Sequence, residues 1–299
     1  MNTLRTALTG SGRWFGIALV IGLVIRVATL VLPGHEDVVS WKIWTYAAAH
    51  HVTRMYGVGG DPPIRGIVRW GELWTTVNYP PVFLYEYAIV GKIYWAIFPS
   101  FPDSLALTVA VKLPALLANA VLTALLFVTV RRLGGEKPAR WVALVYWLNP
   151  ATLFGGEMLG YLDVLCFLPA VAGLILASFK RPWLAGLLVA IGLATKPQGL
   201  LIGPAFALAL WQAGGIGAIV SASVSFVATL CLVCAPYYAN GSLPNMWLAF
   251  GSFDARQDTM SAYGANIGWI INWWLRGKFG IPELGIPRAF MQRVPNPLA

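Results

Sequence analysis

Long apolar runs separated by short polar breaks dominate this chain. Residues 14–32, 106–130, 162–179 and 216–236 each hold about 18 or more apolar residues, enough to span a bilayer core as helix. Residues 139–154, 184–195 and 199–212 are shorter and predict kinked or partial spans. All these runs are continuous and rich in Leu and Ala, without the alternation of a membrane barrel, so each must close its backbone hydrogen bonds within itself. The expected fold is all-α: a polytopic transmembrane helical bundle of about seven to eight spans, forming one membrane domain over residues 1–299.

Two polar segments, 33–104 and 237–299, lie outside the spans. Within the first, Val38, Trp41, Trp44 and Tyr46 fall near one face of residues 37–51, the spacing of an amphipathic interfacial helix. Gly59, Gly60, Pro62 and Pro63 then break the chain between Tyr56 and Gly66. Residues 82–98 are apolar but carry Tyr85, Glu86, Tyr87, Lys92, Tyr94 and Trp95, which predicts a second surface-lying or re-entrant helix. Past 105 the pattern is a hairpin series, with the short pair 184–195 and 199–212 meeting at Lys196–Pro197–Gln198. A last span over 215–236 leads to a Gly/Asn-rich loop and the aromatic patch Trp269 to Trp274.

Composition agrees with that picture. Apolar residues make up 58% and charged residues 11% of the 299, where soluble domains carry about 25% charge, and the mean hydropathy is +0.68. The net charge is +9, and basic residues cluster in short loops, at Arg5 and Arg13, at Arg131, Arg132, Lys137 and Arg140, and at Lys180 and Arg181. Such clusters mark cytoplasmic loops, so the charge reads as topology rather than a nucleic-acid surface. Every acidic residue except Glu136 then falls outside or at the outer membrane boundary. The N-terminal run contains Arg26 and ends in Val31–Leu32–Pro33–Gly34, which predicts a retained span rather than a cleaved signal. Cys166, Cys231 and Cys234 all lie within predicted spans, and the Cys231–Cys234 pair has neither a second pair nor a flanking His.

Four clusters carry candidate chemistry. His35–Glu36–Asp37 follows the first span, where a carboxylate either acts as general base on a hydroxyl or caps the next helix. A metal held by His35, Asp37, His50 and His51 is disfavoured, because adjacent histidines on a helix point apart. Asn78–Tyr79–Pro80–Pro81 predicts a rigid corner. Glu157 and Asp163 flank a short turn after Asn149–Pro150, and ionisable groups at a membrane boundary mark functional sites. Lys196, beside Pro197 and Gln198, is either a phosphate clamp or a snorkelling span end. Lys112 and Arg26 are candidates to assist it, or to snorkel likewise.

In their order along the chain these motifs resemble the GT-C superfamily of glycosyltransferases, polytopic enzymes that use polyprenyl- or dolichyl-phosphate sugars. Asp37 followed by Trp41 looks like the family's acidic first-loop motif, and Asn78–Tyr79–Pro80–Pro81 is similar to its Tyr-Pro-Pro corner. Asn149–Pro150 leading to Gly160–Tyr161–Leu162–Asp163 looks like the second acidic loop. Ala194–Thr195–Lys196–Pro197–Gln198 resembles the Lys-Pro-Gln motif of the mannosyl- and glucosyltransferase branches. Ser261 to Asn266 with Trp269 is more loosely similar to a later Asn/Trp motif. The likeness covers residues 14–275, and its force lies in five motifs in the right order rather than in any one.

The resemblance implies a metal-independent, cofactor-free inverting transfer of a hexose, mannose or glucose, from a lipid phosphate to a hydroxyl on a glycan, lipid or protein. Asp37 would be the base, with Glu36 as the alternative carboxylate, and Lys196 would hold the lipid phosphate. Glu36, Trp41, Tyr79, Glu157, Asp163, Gln198 and Asn266 complete the implied substrate-binding set. Compact loops point to a multi-pass protein of a bacterial inner membrane. Family members commonly continue with further spans, so a short member, a fragment and half of a split enzyme are all expectations. The rivals are a secondary transporter or lipid flippase, whose broken helices would carry charge at mid-membrane, and an inactive subunit of the same fold.

Overall fold

A backbone among lipid chains finds no water to bond, so apolar runs coil into helices that satisfy themselves. The computed structural model describes residues 10–57 and 66–254 and is predominantly helical with little strand. Helices α1 (Gly10–Leu30), α2 (Asp37–His51), α3 (Pro81–Ile97), α4 (Leu105–Gly134) and α5 (Glu136–Trp147) come first. They are followed by α6 (Asp163–Ser178), α7 (Pro182–Thr195), α8 (Gly203–Ala239) and α9 (Leu243–Asp254).

Gly12–Leu30, Leu105–Gly134 and Pro197–Ala239 are long and apolar enough to cross a membrane, and the chain is an integral membrane protein on that ground. Helices α6 and α7 are apolar but have 16 and 14 residues. They reach about 24 and 21 Å, short of a hydrocarbon core of about 30 Å. Helix α8 is interrupted at Gly214 and Gly215, whose dihedrals leave the helical region. Ala209 and Leu210 before that break pack in one cluster with Ala218 and Ala222 after it, against Ala177 and Ala185. The two legs of α8 thus fold back on each other, in line with the pair of runs expected over 199–212 and 216–236. The expected kinked element over 139–154 is α5, a bend at Leu148–Asn149, one turn over Pro150–Thr152 and a wide π-type turn over Leu153–Met158.

The ends of the bundle differ in chemistry. At one end Trp14 packs on Trp141 and Phe15 on Phe127, with Arg131 and Arg140 over the Phe rings. Lys112 lies 19 residues back along α4 from Arg131, a rise of about 28 Å, and there it meets Leu32 and Met158. Helices α6 and α7 run between the Lys180–Arg181 turn and the pair Asp163 and Lys196. Both basic turns are therefore at the end opposite to Asp163 and Lys196.

Helices α2 and α3 lie side by side at the Asp163 end. Phe83 packs on Trp41 and Trp44, Trp95 stacks on His50 at 4.2 Å, and the Tyr87 hydroxyl donates to the Val111 carbonyl at 2.8 Å. The main core is built here, from Trp41, Trp44, Tyr56, Phe83, Tyr87 and Phe101. The loop 33–104 also holds a short β-ribbon beside its helices. Strands β1 (Ile67–Trp70) and β2 (Leu73–Thr76) pair antiparallel across Gly71–Glu72, with Val68 opposite Thr75. A two-residue loop led by Gly between β-branched and aromatic runs is a hairpin signal. The ribbon is tied to α2 by the Ser40 and Thr75 hydroxyls, 3.1 Å apart.

Candidate active site at the acidic end of the bundle

Three proline corners set the site. Pro197 disfavours the helical conformation for the residue before it, and Lys196 is extended (φ −158, ψ 136), so α7 ends there. That turns the ammonium onto the Asp163 carboxylate, in the first turn of α6, where negative charge suits the helix dipole. Pro80 is extended and Pro81 opens α3 at the position where a missing N–H costs nothing. The Tyr79 ring is thereby presented to the Lys196 ammonium, 5.2 Å from its centroid. Asn149, extended before Pro150, caps the following turn by accepting the Ala151 N–H at 2.9 Å.

Asp37 comes to the same place from the first span. It lies in the first turn of α2, 43% exposed, with the His35 Nδ1 3.4 Å from its carboxylate. It does not cap the helix: the cap position is Glu36, and no side chain makes a capping bond there. Asp37 is therefore open to an incoming hydroxyl, and Glu36 beside it is exposed. Burial pushes the Tyr79 phenol above its ordinary range, Lys196 pulls it back, and Asp163 and Asp37 push it further up. Tyr79 thus feels all three charged groups. Trp41 fixes the floor beneath them: it is buried, meets Tyr79 edge to face at 5.3 Å, and donates its indole N–H to the Gly160 carbonyl at 3.0 Å.

The first-loop and second-loop segments touch directly. The His35 N–H donates to the Leu159 carbonyl at 2.8 Å, and the His35 and Tyr161 rings lie 5.4 Å apart. Gly34 and Gly160 adopt positive φ of 80° and 82°. A Cβ on either would come within 2.7 or 2.6 Å of the Val38 side chain, so only glycine permits the approach.

Other expected site residues have different settings. Gln198 is exposed on the turn after Lys196. Glu157 is fully buried, and both its oxygens are taken, one by Arg26 and the other by Asn119 at 3.0 Å. It is part of an internal network in which Tyr146 donates to Asn119 at 2.6 Å and Arg26 also donates to the Trp147 carbonyl and Thr152. Arg26 and Lys112 do not snorkel and do not reach Lys196; both are fully buried and donate to internal partners. Asn266 lies outside the described residues. Among the described residues no cluster of three or more His, Cys, Asp or Glu is placed to hold a metal ion.

Two features at the site carried no role in the sequence. Glu86 of α3 is largely buried, one of its carboxyl oxygens has no partner among the described residues, and burial pushes its carboxyl up to about 8. Cys166, one turn after Asp163, donates its thiol to the Asp163 carbonyl. An isolated Glu in an apolar helix signals the first; nothing local signals the second. No protein-family model and no curated protein matches the chain.

Proposed function

We propose that this chain is a multi-pass glycosyltransferase of a cell inner membrane, with about seven to eight spans, that moves a hexose from a polyprenyl-phosphate carrier to a hydroxyl acceptor. The carrying observation is convergence: Asp37, Tyr79, Asp163 and Lys196, far apart in sequence, share one end of an apolar bundle. A base and a fixed cation at a membrane boundary suit the chemistry of a lipid-phosphate ester. Asp37 accepts the proton of the acceptor hydroxyl as its oxygen attacks the anomeric carbon. The bond from that carbon to the phosphate oxygen breaks on the opposite face, so configuration inverts. The released lipid phosphate keeps the electron pair, and Lys196 holds its negative charge as a point cation with three donors. Tyr79, half-buried above Trp41, supplies an apolar face for the sugar ring. The acceptor is a glycan, a lipid or a protein, and mannose is the first hexose to test.

The test uses membranes carrying wild type or Asp37→Asn with polyprenyl-phosphate mannose and, separately, polyprenyl-phosphate glucose. Transfer by wild type and a loss of about 100-fold or more in Asp37→Asn are expected, the scale of a removed general base. Equal transfer by the variant would remove Asp37 from the base role. No transfer from any lipid-phosphate hexose would remove the proposal altogether.

A further inference from the structure

Lys112 is a fully buried lysine whose ammonium meets no carboxylate among the described residues. A charge in that setting is expensive, and its donors must be satisfied. It donates to two backbone carbonyls from different parts of the chain, Leu32 at 2.6 Å and Met158 at 2.9 Å. Leu32 lies two residues past α1 and five before Asp37, and Met158 ends the π-type turn, five residues before Asp163. Above this point the two strands of chain stay together through His35 to Leu159 and Trp41 to Gly160. Gly34 and Gly160 fold directly over the lysine, since a Cβ on them would lie 3.1 and 3.5 Å from its Cε.

We infer that Lys112 is a positioning residue that sets the spacing between Asp37 and Asp163 by joining the two segments that carry them. One nitrogen bonded to both carbonyls fixes their separation more tightly than two independent bonds would, because neither strand can shift without breaking a charge-assisted bond. The hydrogen bonds above it are single and neutral, so the lysine is the firm base of the junction. Misplacing a catalytic group by about 1 Å costs on the order of 100-fold in rate. The catalytic consequence rests on the glycosyltransferase proposal; the spacing role does not.

The experiment replaces Lys112 with Met, which keeps the stem and removes the donors, and with Gln, which is shorter but keeps two N–H donors on one nitrogen. Two readouts are taken on the full chain in lipid nanodiscs, per folded molecule. In the first, kcat for hexose transfer is expected to fall by about 10- to 100-fold in Lys112→Met, with KM for the lipid-phosphate hexose within about threefold of wild type. Lys112→Gln is expected to recover part of kcat. In the second, His35→Cys and Tyr161→Cys are introduced together and oxidised, and the disulfide is expected to form several times more slowly once Lys112 is Met or Gln. If Lys112→Met does not fold, the Gln variant is judged on the same two readouts. Wild-type kcat per folded molecule with an unchanged cross-linking rate would overturn the inference. Slowed cross-linking in a protein whose wild type transfers no lipid-phosphate hexose would uphold the spacing role and remove the functional proposal alone.

Discussion

Replacing Glu157 with Ala separates a structural role from the substrate-binding role that its motif implies. Arg26 and Glu157 are both fully buried and joined by an ion pair. Arg26 also donates to the Trp147 carbonyl at 2.8 Å and to Thr152 at 2.9 Å, and lies 4.4 Å from the centre of the Trp147 ring. Removing the carboxylate leaves a buried guanidinium without its counter-charge, a loss of about 3–5 kcal/mol. It also strands the Asn119 amide that donates to Glu157, at about 1–3 kcal/mol. Glu157→Ala should therefore cost at least about 4 kcal/mol. Replacing both Arg26 and Glu157 with Leu removes both charges and should cost far less than the single changes sum to, with a coupling of about 3 kcal/mol. The assay is reversible unfolding of purified protein in mixed detergent micelles, titrated with sodium dodecyl sulfate and followed by Trp fluorescence. A cost under about 1 kcal/mol for Glu157→Ala, or additive single changes, would refute the reasoning. Glu157 would then be free to serve the substrate.

The other expectations concern charge at the site. Lys196→Met should raise KM for the lipid-phosphate donor by roughly 10- to 100-fold, the value of a charged hydrogen bond, in steady-state assays with varied donor. An unchanged KM would remove Lys196 from the phosphate. Glu86→Gln should stabilise the protein in a pH-dependent way, read as the thermal midpoint in detergent. The unfolded carboxyl ionises near the ordinary value of 4.5, whereas burial holds the folded one up to about 8. The native state thus binds more protons between those values, so burial of Glu86 costs stability increasingly as pH rises through that window. The Gln variant should gain over wild type by several degrees from pH 5 to pH 8, then level off; a constant difference would count against it.

Much of this architecture is local, and so was legible in the chain. Apolar runs such as 106–130 form helix because a helix closes its backbone bonds within one run, as lipid requires. Pro197 ends α7 and extends Lys196, and Pro80–Pro81 opens α3, because proline restricts its own dihedrals and those of its predecessor. Asp37, Tyr79, Asp163 and Lys196 were identifiable as candidates for the same reason, since each sits at a break that local chemistry dictates. Only the tertiary structure decided which charges work inside and which at the surface. Arg26, Lys112 and Glu157 look in sequence like the Lys and Asp of the site, yet helices α1 and α4 and the 153–158 turn enclose them completely. The ribbon over 67–76 likewise required pairing between two strands and anchorage on Ser40. Helix and turn are set by neighbours within a few residues; burial and ion pairing across 131 positions, as from Arg26 to Glu157, exist only once the bundle has closed.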